Sequence, residues 1–146
     1  MIDSHAHLDM EIFDADREDV LARAAAAGVH RILTLALLDE TDSYRKALEL
    51  VDSYSQLCAA VGCTPHDSKH FGEADESLLE TLAARPRVLA IGEVGLDYHH
   101  NLSPPEIQRE TFRRQIRVAR KLSRPLILHH REAELDMIRI LDEERA

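Results

Sequence analysis

Short apolar runs alternate with amphipathic segments along the whole chain. The apolar runs are typical of β-strands, and apolar residues spaced by three and four positions indicate helices between them. Five strands are predicted, at 2–8, 29–37, 57–62, 88–94 and 125–130. Each is followed by a predicted helix, at 16–27, from 41–43 onward, from 75 or 76 to 84, from 103 to before Pro125, and at 132–144.

Capping signals support two of these helices. Asp16 is the predicted N-cap of the first helix, and Gly28 is its predicted stop. The segment SPPE predicts a sharp start for the fourth helix, with Ser103 as N-cap, Pro104 at the first helical position and Glu106 three residues after the cap. The apolar side chains that this helix is expected to bury are Ile107, Phe112, Ile116, Ala119 and Leu122.

The strand composition favours a parallel sheet. The segments VLAIGEV and PLILHH are almost continuously apolar, which suits strands that are buried on both faces. Parallel strands joined by helices form either a doubly wound sheet or a (β/α) barrel. The segment GEVGLD lacks the GxGxxG spacing, and no such motif follows the first strand. We therefore predict an α/β protein with a (β/α) TIM-type barrel fold in one domain, 1–146.

Composition and charge narrow the choice of partners. The net charge of −9 provides no general attraction to nucleic acid, so an anionic substrate would need a local site made by metal ions or arginines. No apolar run approaches the roughly 20 residues of a membrane span, and no signal peptide is evident. We expect a cytoplasmic protein in which Cys58 and Cys63 are reduced thiols on opposite faces of the sheet.

Candidate metal ligands lie where predicted strands end. His5 and His7 end the first strand, Glu93 lies near the end of the fourth, and His129 and His130 end the fifth. The carboxyl ends of parallel strands share one rim, where functional residues gather. Residues i and i+2 of a strand point the same way, so the two histidines of HAH can both reach one divalent cation. Together these residues predict a metal site.

Each signal also has a structural reading. An HxH pair on a strand is often incidental. Glu93 in an apolar strand is harder to explain, because burying an unpaired carboxylate is costly. A metal ion would satisfy this carboxylate, and a salt bridge to Arg131 is the alternative.

The remaining histidines have different expected environments, which depend on their positions in the predicted strands and loops. Only one of His129 and His130 can face inward, because neighbouring residues of a strand alternate. Histidines 99 and 100 fall in a predicted loop and are expected to be solvated. His66, after the third strand, is equally well explained as a substrate contact and as a loop histidine.

The motifs together resemble the TatD-like metal-dependent hydrolases of the amidohydrolase superfamily. The segments DSHAHLD, GEVGLDY and PLILHHREA, and QRETF in the fourth helix, occur in the family's order over essentially the whole chain. The resemblance implies a TIM-type barrel and deoxyribonuclease activity with two divalent metal ions, Mg, Mn or Zn. It implies these site residues: His5 and His7 on one metal, Glu93 as bridging and catalytic carboxylate, His129 on the second metal, and His66 and Arg131 as substrate contacts.

The resemblance also marks departures. Thr64 stands where the family often has a further histidine, and the family's later metal-binding histidine and aspartate have no counterpart here. A full (β/α)₈ barrel has about 250 residues, so this chain provides about five of its eight units. We expect phosphodiester hydrolysis, with DNA as substrate. The alternatives are a small-molecule amidohydrolase or esterase, and a chain that is inactive unless a homo-oligomer or a completing partner chain supplies the rest.

Overall fold

A computed structural model describes all residues from 1 to 146 and contains one sheet of five parallel strands. The strands are hydrogen-bonded in chain order, and the sheet curls into half of a barrel. The strands are β1 (Ile2–Ala6), β2 (Arg31–Leu37), β3 (Leu57–Gly62), β4 (Val88–Asp97) and β5 (Leu126–Arg131). This confirms the predicted fold class, an incomplete TIM-type barrel.

Helices link each strand to the next and follow the last one. They are α1 (Arg17–Ala26), α2 (Tyr44–Ser53), α3 (Glu73–Ala83), α4 (Pro105–Leu122) and α5 (Glu134–Glu143). Two short 3-10 helices lie at Glu11–Phe13 and Ser68–His70. Parallel neighbours require such crossovers, because each strand must start again at the same end of the sheet. No helix is both long and apolar enough to cross a membrane.

The largest error in the predicted boundaries concerns the fourth strand. It continues three residues beyond Val94 to Asp97, so Asp97 belongs to the sheet and not to a loop. The first strand ends at Ala6, before Leu8, and the third helix starts at Glu73, ahead of the predicted position.

The prediction that Ser103 caps the fourth helix is wrong. The cap position belongs to Pro104, and α4 begins at Pro105. The Ser103 hydroxyl instead donates to the carbonyl oxygen of His66 at 2.7 Å, so it ties the loop after β3 to the loop before α4. Ile107 was expected in the core, but 38% of its surface is exposed.

The core has two layers, one on each face of the sheet. The larger layer fills the space between the sheet and the helices, and its fully buried side chains include Leu57, Leu79, Ile91, Phe112 and Ile116. The smaller layer lies inside the curl and consists of Leu33, Leu35, Ala60 and Ala90.

The cysteines follow this division. Cys63 is buried in the layer under the helices, whereas Cys58 is half-buried and packs against the inner layer, as the predicted alternation requires. Both cysteines are free thiols, and burial raises the pKa of the Cys63 thiol far above its usual range.

Gly95 allows β4 and β5 to approach closely. Its φ is +146°, and a Cβ atom at this position would lie 2.0 Å from the carbonyl oxygen of His129. Gly28, after α1, also has a positive φ of +87°, but a Cβ atom there would meet nothing within 4 Å. Gly28 therefore needs only its backbone freedom, whereas Gly95 needs both that freedom and the space.

These two glycines form a matched pair for a stability test. We expect Gly28→Ala to lower the free energy of unfolding by about 1 kcal/mol, the cost of strain at positive φ. Gly95→Ala should cost at least about 2 kcal/mol more, because the backbone of β5 must also move. Urea denaturation followed by circular dichroism measures both. Equal losses in the free energy of unfolding would show that the backbone of β5 can move at His129 without a measurable cost.

Candidate metal centre

Two histidines at the carboxyl end of β1 meet a glutamate from the middle of β4. The metal-ligating atoms of His5, His7 and Glu93 all lie within 4.8 Å of one another. His5 Nε2 is 3.5 Å from Glu93 Oε2, and the imidazole rings of His5 and His7 are 5.4 Å apart. Glu93 lies 86 positions after His7 in the sequence, and the parallel sheet brings it next to the two histidines.

Strand register decides which way these side chains point. Ala6 pairs with Thr34 in β2 and packs against the core under the helices. Because side chains alternate along a strand, His5 and His7 on either side of Ala6 face the inside of the curl. Val94 is buried under the helices, so the preceding Glu93 also faces inward.

Glu93 is held by imidazoles and not by Arg131. His129 Nδ1 donates to Glu93 Oε1 at 2.8 Å, and the Arg131 side chain is exposed. Burial by itself would raise the pKa of Glu93, but the hydrogen bond from His129 and the nearby His5 bring it below its usual value. The carboxyl group is therefore anionic at neutral pH, and the predicted alternative of a salt bridge to Arg131 is wrong.

His129 lies between two carboxylates. Its Nδ1 is 2.8 Å from Glu93 Oε1, and its Nε2 is 3.0 Å from Asp97 Oδ2. The hydrogen bond to Glu93 is the main cause that raises the pKa of His129. His130 points the other way and is 3.7 Å from Glu134 Oε1, in agreement with the alternation expected from the sequence.

A second cluster surrounds Asp97, which sequence reasoning missed. Asp97 Oδ2 is 2.9 Å from His66 Nε2 and 2.9 Å from His100 Nδ1. His100 lies in a loop and is exposed, as the sequence predicts, and it contacts Asp97 in addition. His99 is exposed as well and contacts Glu132 at 2.8 Å. The signal for Asp97 was present, because it lies four residues after Glu93 and thus on the same face of β4.

Asp97 is fully buried but charged. Burial alone would raise its pKa, yet the hydrogen bonds from His100, His66 and His129 lower the pKa far below the ordinary value of an aspartate. Its Oδ1 accepts a further hydrogen bond from the backbone N–H of His100 at 2.8 Å. The rim thus holds two anionic carboxylates, Glu93 and Asp97, surrounded by imidazoles.

Two buried glutamines of α4 fix the strand ends that carry these residues. Gln108 Oε1 accepts from the backbone N–H of Asp97 at 2.8 Å, and its Nε2 donates to the Asp97 carbonyl at 3.0 Å. Gln115 makes the same pair of bonds to Cys63, at 2.8 and 2.9 Å. A buried amide that meets both backbone groups of a residue acts as an extra strand neighbour, so α4 positions the ends of β3 and β4.

The donor set of the first cluster suits a divalent cation. Two imidazoles and one carboxylate with a remaining open position are the ligands of many catalytic zinc sites. Glu93 is mostly buried and anionic, which favours a cation over a second carboxylate or a neutral group. The residues present therefore fit the metal expected from the sequence.

The fold and the site together define a class of protein: an incomplete (β/α) barrel with imidazoles and carboxylates on its rim. The sequence model described as "TatD related DNase" matches residues 2–146, and the chain belongs to this family.

Individual relatives agree with this assignment. The chain is 40% identical over 146 residues to the "Uncharacterized metal-dependent hydrolase YabD" of Bacillus subtilis, covering all of this chain and 56% of that protein. It is 38% identical over 143 residues to the "3'-5' ssDNA/RNA exonuclease TatD" of Escherichia coli K12, covering 97% of this chain and 54% of the relative. The chain thus spans about half the length of these relatives.

A solved structure shows the same fold. The crystal structure of YjjV, a TatD homologue from Escherichia coli K12, matches with a TM-score of 0.88 and 31% sequence identity. The match covers 99% of this chain and 56% of that one. The half-barrel described above therefore corresponds to part of a larger solved structure.

The contrasting positions of His129 and His130 yield a stability prediction. In the presence of EDTA, His129→Ala should lower the free energy of unfolding by about 2 kcal/mol, because two anionic carboxylates lose a shared partner. His130→Ala should cost less than about 0.5 kcal/mol, since it removes only an exposed contact. Urea denaturation of both variants in EDTA measures these losses in the free energy of unfolding. A larger loss in His130→Ala would mean that β5 faces the opposite way.

Proposed function

We propose that this chain provides the metal-binding half of a hydrolase that cleaves phosphodiester bonds, with DNA as the substrate. The observation that carries the proposal is the convergence of His5, His7 and Glu93 on one rim of the half-barrel. Relatives named as a metal-dependent hydrolase and as a 3'-5' ssDNA/RNA exonuclease support the same reaction class.

Each residue of the centre has a proposed role. His5 and His7 would hold one ion, His129 would hold a second, and the Glu93 carboxylate would be shared between the two. The distances of 3.5 Å from His5 to Glu93 and 2.8 Å from His129 to Glu93 support this assignment, because they place Glu93 between the histidines. Divalent ions such as Mg²⁺, Mn²⁺ or Zn²⁺ would supply Lewis acidity and an activated water at such a site.

Residues beside the centre would hold the substrate. His66 is partly exposed and lies against Asp97, where its imidazole can donate to a phosphate oxygen. Arg131 is exposed and comes two residues after His129, so it shares the inward face of β5. A guanidinium can pair with two phosphate oxygens at once, which orients the scissile group.

Charge explains why the reaction should need metal. The chain carries a net charge of −9, and Glu93 and Asp97 add two anionic groups at the rim itself. A phosphodiester would be repelled from this rim unless cations neutralise it. The site is therefore suited to an anionic substrate only when it is loaded with metal.

Open edges suggest how the half-barrel becomes a complete site. The edge strands β1 and β5 each have only one neighbour, and an apolar groove of about 360 Å³ runs between α4, β5 and α5. On α5 itself, Leu135 and Ile138 are 86% and 67% exposed. Unpaired strand edges and apolar surface favour association. We propose that a second copy or a completing partner chain covers them.

The activity test uses a 5′-labelled single-stranded DNA with added Mg²⁺, Mn²⁺ or Zn²⁺. We expect metal-dependent shortening of the strand that EDTA abolishes and that Glu93→Gln reduces at least about 100-fold, because the amide cannot replace an anionic bridging ligand. His130→Ala, on the other face of β5, is the matched control and should retain activity.

Two results would contradict this proposal. Cleavage that persists after thorough chelation would exclude the metal centre. Metal-dependent hydrolysis of small esters, amides or lactones without DNA cleavage would favour the small-molecule alternative.

The assembly proposal is tested by light scattering on the purified protein. We expect a species larger than a monomer, and we expect Leu135→Glu with Ile138→Glu to shift it toward the monomer, because charges on the apolar face oppose its burial. Leu102→Glu, at an exposed position in the loop before α4, is the control. A stable monomer that holds two tightly bound metal ions would overturn the proposal.

A further inference from the structure

We propose that His66, Asp97 and His100 form an additional divalent cation site, separate from the centre at His5, His7 and Glu93. The metal-ligating atoms of these three residues all lie within 4.8 Å of one another. They come from the loop after β3, the last residue of β4 and the loop after β4, so the fold and not a local sequence motif assembles them. The site goes beyond the proposed hydrolase function and shares His66 with it: the ion would take the Nε2 atom that faces Asp97, which leaves Nδ1 for a substrate contact.

Asp97 has more imidazole neighbours than it can bond. Its Oδ2 lies 2.9 Å from His66 Nε2, 2.9 Å from His100 Nδ1 and 3.0 Å from His129 Nε2. A carboxylate oxygen has about two lone pairs, so three N–H groups cannot all donate well to it. A cation resolves this crowding, because it takes one lone pair each from Oδ2, His66 and His100. The hydrogen bond from His129 to Asp97 then remains.

The three ligands are held by hydrogen bonds from within the protein. The carbonyl oxygen of His66 accepts from Ser103 Oγ at 2.7 Å. Both backbone groups of Asp97 are bonded to Gln108, and the backbone N–H of His100 donates to Asp97 Oδ1 at 2.8 Å. These bonds fix the backbone that carries the three ligands and one oxygen of the Asp97 carboxylate, which reduces the ordering needed on binding. The hydrogen bonds therefore preorganise the site for an ion.

The site is accessible from one side. The Asp97 side chain is fully buried, whereas 32% of the His66 side chain and 43% of the His100 side chain are exposed. An ion can enter between the two imidazoles, and water can complete its coordination there. The anionic charge of Asp97 lies on the closed side, where solvent screens it least.

The donors select the kind of ion. Two imidazole nitrogens and one carboxylate oxygen suit Zn²⁺, which takes such sets with a water in the fourth position. Imidazole ligands disfavour Mg²⁺, which prefers oxygen ligands and keeps much of its hydration. We therefore infer a site for Zn²⁺ or a similar transition ion.

The two sites are neighbours joined by one side chain. His129 contacts Glu93 through Nδ1 at 2.8 Å and Asp97 through Nε2 at 3.0 Å. The carboxylates lie on opposite sides of its ring, so a single ion bound by both is not the simplest arrangement. The experiment must consequently separate the two sites by substitution.

The test measures Zn²⁺ binding in a background that lacks the first centre. His5→Ala with His7→Ala leaves His66, Asp97 and His100 intact, and we expect one Zn²⁺ per chain by equilibrium dialysis and elemental analysis. Adding His66→Ala or His100→Ala should weaken this binding more than about 100-fold. Co²⁺ in place of Zn²⁺ should give a visible absorption band that disappears with the same substitutions.

His99→Ala is the matched control, because His99 lies in the same loop but contacts Glu132. It should leave the Zn²⁺ affinity of the His5→Ala, His7→Ala background unchanged. If that background folds poorly, the rise in Tm on adding Zn²⁺ to His5→Ala alone, with and without His100→Ala, provides the same comparison.

Three outcomes would overturn the proposal. One is the absence of Zn²⁺ binding in the background variant. Another is binding that survives the loss of both His66 and His100. The third is binding of Mg²⁺ as tight as that of Zn²⁺, which would show that the imidazoles are not ligands.

Discussion

The close contact between β4 and β5 at Gly95 is the constraint on which the site depends. Gly95 pairs in register with His129, and no side chain fits between it and the backbone of β5. This register sets the His129 ring between Glu93 and Asp97, two residues before and after Gly95. A shift of β5 by one residue would turn His129 toward the helices and place His130 in the curl. The glycine thus determines which histidine belongs to the site.

The rim also buries negative charge. Glu93 and Asp97 are withdrawn from water in a chain that is already acidic, and burying an unpaired carboxylate costs several kcal/mol. Imidazoles meet both carboxylates and keep the pKa of each below its usual value. Carboxylates that stay anionic among histidines are an environment suited to divalent cations, which explains why both clusters have the donors of metal sites.

The buried core is divided unevenly between the two faces of the sheet. The layer between sheet and helices contains most of the buried core, whereas the inner layer has only Leu33, Leu35, Ala60 and Ala90. In a closed barrel the inner layer is filled from strands on all sides. Most of the core that these five units bury therefore lies in the outer layer, and the groove beside β5 is open at the surface. The match to about half of each relative's length agrees with this division.

The sequence by itself determined the repeating units and the first cluster. Hydrophobic periodicity is a local property, so it predicted five strands and five helices, and the i, i+2 spacing of His5 and His7 already placed both on one face. It also showed that Glu93 needed a partner inside an apolar strand.

Only the tertiary structure decided what lies around Asp97. Its contacts with His66 and His129 join residues 31 and 32 positions apart, and their geometry depends on strand register and on the bonds that Gln108 makes from α4. The true role of Ser103, which ties two loops together and caps no helix, depends on the same packing. No periodic pattern encodes such contacts, because they arise from segments that meet only after the sheet has formed.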